Sequence, residues 1–94
     1  MQEEQTGMVE PEEETDVNVS LPYKVLLFND NIHSFDEVIN QLIKAIKCSF
    51  DEARSLAFEA HVKGKAMVFE GELNLCLKVT SILEEIALHT QILS

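Results

Sequence analysis

The sequence predicts a small α+β sandwich in which three helices cover a three-stranded antiparallel sheet, in the order β-α-α-β-α-β. Three observations carry that reading. A chain of 94 residues holds one domain with a modest core and no room for a second. Short β-branched and aromatic runs alternate with longer stretches of helical apolar spacing. Two Ser-x-x-Glu boxes lie back to back between the first two strand-like runs, which places two capped helices there and leaves too little chain for a parallel doubly wound sheet.

The first strand is expected at Tyr23 to Phe28, after Leu21-Pro22, since proline resists helix and lets an edge strand begin. Its nearly continuous apolar run suggests burial on both faces or a cover of helices. Ser34-Phe35-Asp36-Glu37 is the first capping box, and Val38, Ile39, Leu42, Ile43 and Ile46 continue it as one apolar face of a helix over Phe35 to Ile46. Ser49-Phe50-Asp51-Glu52 repeats the device, with Ala53, Leu56, Ala57 and Ala60 as the stripe of a second helix. Gly64 ends it, because a residue without Cβ suits the left-handed cap position. Lys65 to Phe69 reads as a strand and Glu70-Gly71-Glu72 as a turn. Leu75, Val79, Ile82, Leu83 and Ile86 mark a third helix from about Asn74 to Leu88, and Thr90 to Leu93 a last short strand.

Charge is unevenly placed. Of the formal net charge of -10, residues 1–20 carry Glu3, Glu4, Glu10, Glu12, Glu13, Glu14 and Asp16 with no Lys or Arg, so the remainder holds ten acidic against seven basic groups. Residues 1–20 are too polar and too like-charged to repay the entropy of ordering and are read as a disordered acidic tail, with the domain spanning 21–94. A chain this acidic lacks the basic stripe that phosphate neutralisation needs, so neither nucleic acid nor an anionic membrane surface is an expected partner. The start Met1-Gln2-Glu3-Glu4 has no basic or apolar leader pattern and no segment nears a membrane span in length, so a cytoplasmic location is expected. Cys48 and Cys76 have neither CxxC nor metal-ligand spacing and read as buried small hydrophobes. His33 is read as solvent-exposed and His89 as near a helix end, neither with a partner that makes it a metal ligand. No metal and no cofactor are expected.

The chemistry-bearing stretch is the strand end Tyr23-Lys24-Val25-Leu26-Leu27-Phe28-Asn29-Asp30, echoed by His61-Val62-Lys63-Gly64-Lys65-Ala66. Amide and carboxylate oxygens from Asn29, Asp30 and Asn31, closed on a third side by His61, suit a primary ammonium, which offers three donors and needs about three converging acceptors. Asn29 can give one oxygen, Asp30 or Asn31 another, and a neutral His61 a ring nitrogen. Read alone, however, Asn29-Asp30-Asn31 also fits an Asx-type turn and His61 a helix-end histidine without a ligand.

From Leu21 to about Ala66 the chain resembles the ClpS family, small adaptors that deliver N-degron substrates to bacterial AAA+ unfoldases. The resemblance rests on the Tyr-Lys-Val-Leu-Leu strand, on Asn29-Asp30 after it, and on Glu59-Ala60-His61-Val62-Lys63-Gly64-Lys65-Ala66, similar to the family's His-x-x-Gly-Lys-Ala signature. The spacing of 32 between Asn29 and His61 agrees, and Leu77-Lys78-Val79 agrees more loosely. It implies a fold of the expected order and a pocket for the free α-amino group of a first residue of the Leu, Phe, Tyr or Trp type. Asn29, Asp30, Asn31 and His61 would meet the amine, and Ile32, Phe35, Val38 and Ala57 would line the apolar wall. It also implies a ClpA- or ClpC-type unfoldase as partner, met by a face that includes Lys65 and Lys78, with Glu72 the nearest acidic candidate. The chain departs from the family pattern at Asn31, where Asp is common, and at Phe35 and Ala57, where Met is common. These bear on the preferred first residue: a lost charge, a reshaped gate and a deeper floor.

A monomeric binding module without catalysis is therefore expected. A hydrolytic set of Asp30, His61 and Cys48 is disfavoured, since no nucleophile elbow or catalytic-cysteine context is present. The alternative is a protein-interaction domain of the ribosomal L7/L12 C-terminal kind, similar in fold but without an amine pocket.

Overall fold

The computed structural model describes residues 22–94; the acidic tail expected over 1–20 lies outside them. Within that span the elements are β1 (Tyr23–Phe28), α1 (Phe35–Ile46), α2 (Phe50–Lys63), β2 (Lys65–Gly71), α3 (Leu73–Leu83), a 3-10 turn (Glu84–Ile86) and β3 (Thr90–Leu93). The three strands form one antiparallel sheet in the order β2-β1-β3. The predicted α+β sandwich, with its element order and its antiparallel sheet, is the observed one.

Both capping boxes close. Ser34 Oγ accepts from the Glu37 N–H at 3.2 Å while Glu37 Oε1 accepts from the Ser34 N–H at 2.8 Å. Ser49 and Glu52 repeat the exchange at 3.1 and 3.2 Å. Each satisfies two of the amides a helix start leaves unpaired, which is why α1 and α2 begin where they do despite a connection of only three residues between them. Lys47 makes that connection possible by adopting φ 58°, a left-handed conformation that the sequence does not advertise.

Of the two alternatives for β1, the helix-covered strand is found. Val25 and Leu27 are fully buried and point at the helices, while Tyr23, Leu26 and Phe28 are only half-buried. Opposite them β2 buries Ala66 and Val68, with a bulge in the pairing between Val25 and Leu26. The helices supply Ile39 and Leu42 from α1, Ala53, Ala57 and Ala60 from α2, and Cys76, Val79 and Leu83 from α3. Cys76 is the buried small hydrophobe expected, and burial raises its thiol pKa; Cys48 is half-buried and likewise raised by burial.

Two element boundaries move. β2 runs on through Glu70 and Gly71, expected as a turn, because pairing with Tyr23 and Lys24 continues to the strand's end. The third helix stops at Leu83 rather than Leu88. The Gln41 side chain donates to the Ile82 carbonyl at 2.6 Å, Ala87 turns left-handed at φ 65°, and Leu88 is thereby folded into the core. That reversal lets the His89 carbonyl accept from the Phe28 N–H at 2.9 Å and starts β3 along β1.

Candidate functional site

The end of β1 is held from two sides. Phe28 donates its N–H to His89 at the start of β3, and Asn29 donates its own to the Gly64 carbonyl at 3.0 Å, where α2 turns into β2. Gly64 caps α2 at φ +91°, its N–H bonded to the Ala60 carbonyl. These bonds convert a separation of 32 residues into adjacency: Asn29 and His61 face one cavity of about 320 Å³. Its lining is Leu27, Phe28, Asn29, Asp30, Asn31, His33, Phe35, Val38, Ala57, Ala60, His61 and Leu88.

The cavity has an apolar interior and a polar rim. Leu27, Ala57, Ala60 and Leu88 are buried and Val38 half-buried, while Asn29, Asn31 and His61 stand exposed at the mouth. The space exists because α2 turns alanines inward: Ala57 and Ala60, almost one turn apart, end at Cβ where a longer side chain would fill the gap. Phe35 lies at the entrance, its ring edge-on to His61 at 5.8 Å and to Phe58 at 6.4 Å.

Substituting Gly64 tests how this corner is built. A Cβ there meets nothing within 4 Å, so Gly64→Ala carries only the cost of a left-handed L-residue, about 1–2 kcal/mol. Urea unfolding should show that loss. No loss would mean the corner tolerates another backbone conformation.

The polar residues divide. Asp30 Oδ1 accepts from the N–H groups of Ile32 and His33, both at 3.0 Å, and Oδ2 lies 2.7 Å from His33 Nδ1. Its carboxylate thus organises the loop, and the Asx-turn reading is correct for Asp30. By contrast, among the described residues the side chains of Asn29 and Asn31 and the His61 ring form no protein hydrogen bond. These three polar groups stand at the lip of an apolar hole.

Of the residues named from sequence, Asn29, Asp30, Asn31, His61, Phe35, Val38 and Ala57 line this one cavity. Ile32 does not: it is 85% exposed, because the Asp30 turn projects it outward. His33, read as solvent-exposed, is instead largely covered, its ring between Asp30 and the Ile86 carbonyl. Leu27, Phe28, Ala60 and Leu88 were not anticipated as walls; only Ala60, in the same stripe as Ala57, carried a signal. Lys65, Glu72 and Lys78 are all exposed, but Lys65 opens β2 at the cavity end and Glu72 follows its far end, which sets them roughly 20 Å apart. Among the described residues no three His, Cys, Asp or Glu side chains gather as a metal group, and no helix is long and apolar enough to cross a membrane.

The structure of Agrobacterium tumefaciens ClpS2 bound to L-phenylalaninamide superposes with a TM-score of 0.72, covering 77% of this chain and 94% of that one at 23% identity, a likeness of fold. The human E3 ubiquitin-protein ligase UBR2 is 33% identical over 67 residues, 71% of this chain, and its mouse counterpart 31% identical over 61 residues, 65% of this chain. In each case the chain spans only 4% of the ligase's length. The family model described as ATP-dependent Clp protease adaptor protein ClpS matches residues 19–91, from before β1 into β3, and the chain belongs to that family.

Proposed function

We propose that the cavity captures the free amino terminus and first side chain of a protein substrate, and that the chain acts as an N-degron adaptor rather than as an enzyme. One observation carries the reading: acceptors from Asn29, Asn31 and His61, with no side-chain hydrogen bond among the described residues, stand around the mouth of an apolar cavity of about 320 Å³. A terminal ammonium is mostly protonated at neutral pH and brings three donors to that rim, while the side chain beside it fills the interior. The ligand of the A. tumefaciens protein supports this, since L-phenylalaninamide is a free amine, an apolar side chain and an amide standing in for the next peptide bond.

Leu, Phe, Tyr and Trp are the first residues proposed, with the alanine floor at Ala57 suited to the larger of them. The receiving partner is proposed to be a ClpA- or ClpC-type unfoldase, met through exposed Lys65, Glu72 and Lys78, the last two at the start and middle of α3. A cytoplasmic, monomeric adaptor fits that role.

The test is equilibrium binding of a Phe-initiated peptide and its N-acetylated twin. Acetylation removes the charge and two of the three donors. It should weaken binding by about two orders of magnitude, as expected for losing charge-assisted hydrogen bonds. The peptide should be recovered intact. Equal affinity for the two peptides would remove the amine pocket and favour a general interaction domain, and cleavage would favour a hydrolase.

A further inference from the structure

Both ring nitrogens of His33 face oxygen acceptors. Nδ1 is 2.7 Å from the Asp30 carboxylate, and Nε2 meets the backbone carbonyl of Ile86, 53 residues away in sequence. A carbonyl oxygen can only accept, so Nε2 carries a proton. A neutral ring would then aim the Nδ1 lone pair at a carboxylate, and the arrangement closes only when Nδ1 is protonated too. The proton belongs to the ring and not to Asp30, whose other oxygen already accepts two backbone N–H groups and so favours the carboxylate.

We propose that His33, held as an imidazolium between Asp30 and the Ile86 carbonyl, is a positioning residue that locks the 29–33 loop onto the 3-10 turn and makes binding in the cavity depend on its charge. The clamp joins two walls of the cavity: the loop bears Asn29 and Asn31, and Ile86 lies two residues before Leu88. It is also shielded, the His33 side chain being only 10% exposed and that of Asp30 22%, so bulk salt screens it weakly.

The surrounding charges favour the charged ring. The Asp30 hydrogen bond is the largest influence and raises the His33 pKa, desolvation opposes it, and the Ile86 carbonyl together with Glu37 on α1 adds to the rise. On the 3-10 turn, Glu84 accepts from Thr90 and Glu85 is engaged by Lys44 and Gln41. For Asp30, burial works against ionisation, but the hydrogen bonds from His33 and Ile32 outweigh it and lower the pKa. A raised histidine pKa means the clamp is complete below the ordinary value of about 6.5 and is lost as pH rises through the higher folded value. A lowered aspartate pKa means it survives acid until pH falls through that lower value. The clamp is closed between the two.

The proposal's effect on affinity rests on the amine-pocket reading, and the test separates the two. Affinity for a free-amine Phe-initiated peptide is measured between pH 6 and 9 for the full chain and for His33→Ala, as the ratio of the two, so that the peptide's own amine cancels. The ratio should be about tenfold in favour of the histidine at pH 6.5, within the usual span of coupling between sites, and should fall toward one above the His33 midpoint. By linkage, peptide binding should raise the His33 midpoint seen by NMR in the unaltered chain. Amide exchange at Ile32 and at position 33, corrected for the intrinsic rate of the residue present, should quicken in His33→Ala without any peptide present.

A ratio that does not vary with pH, a His33 midpoint at or below that of an ordinary imidazole, or unchanged exchange at the amides of positions 32 and 33 would each overturn the clamp. Should the unaltered chain bind no free-amine peptide at any pH, the functional reading falls, while ring titration and amide exchange still decide whether the clamp exists.

Discussion

Leu42→Ala is expected to lower stability by roughly 2–5 kcal/mol, the range for deleting a fully buried leucine where the surroundings relax only in part. Leu42 has no exposed surface, and α1 packs on both α2 and α3, so the void would open where the three helices meet. A domain of this size has a total of about 5–15 kcal/mol, and the loss would be a large share of it. Urea unfolding should show a lower midpoint with little change in slope. Leu77→Ala supplies the contrast, because Leu77 is 53% exposed on α3 and its truncation should stay within about 0.5 kcal/mol. Comparable losses for the two would mean that the helices do not pack around Leu42 as described.

The same packing explains which parts of the fold were legible in the chain. Where local chemistry decides a boundary, the residues announce it: the Ser34 and Ser49 boxes begin α1 and α2, and Gly64 closes α2. The third helix is different. Ile86 keeps the helical spacing after Ile82, yet the helix ends at Leu83 because Gln41 of α1 takes the Ile82 carbonyl and Ala87 turns left-handed. The first is a long-range contact and the second a left-handed alanine closing a 3-10 turn through its N–H bond to the Glu84 carbonyl, and neither has a residue signature in the chain. The site divides along the same line. Asn29 and His61 could be paired through a motif spacing, whereas the Ile86 carbonyl that fixes His33 is a backbone atom that any residue would offer. A loop whose Asp30 caps its own turn also leaves Ile32 outside the wall it was expected to join.

Asn29→Ala and His61→Ala should each weaken binding of a free-amine Leu- or Phe-initiated peptide by about 1–3 kcal/mol, since each leaves the ammonium one acceptor short. That is roughly a 5- to 150-fold change in affinity. Because both groups serve one ligand, the double variant should depart from the sum of the single losses. Neither residue belongs to the core, and the Asn29 N–H bond to Gly64 is a backbone contact that the substitution leaves in place, so the fold should survive. His61 has a second contact, its ring meeting the edge of Phe35 at 5.8 Å, and its removal could act by loosening the gate rather than by taking away an acceptor. The N-acetylated peptide separates these routes. A loosened gate would change whatever residual affinity the acetylated peptide has, whereas a missing acceptor would change affinity only for the free amine. If folded variants bind the free-amine peptide as the unaltered chain does, the rim of Asn29 and His61 does not hold the amine, and the cavity's apolar interior alone would have to account for any binding.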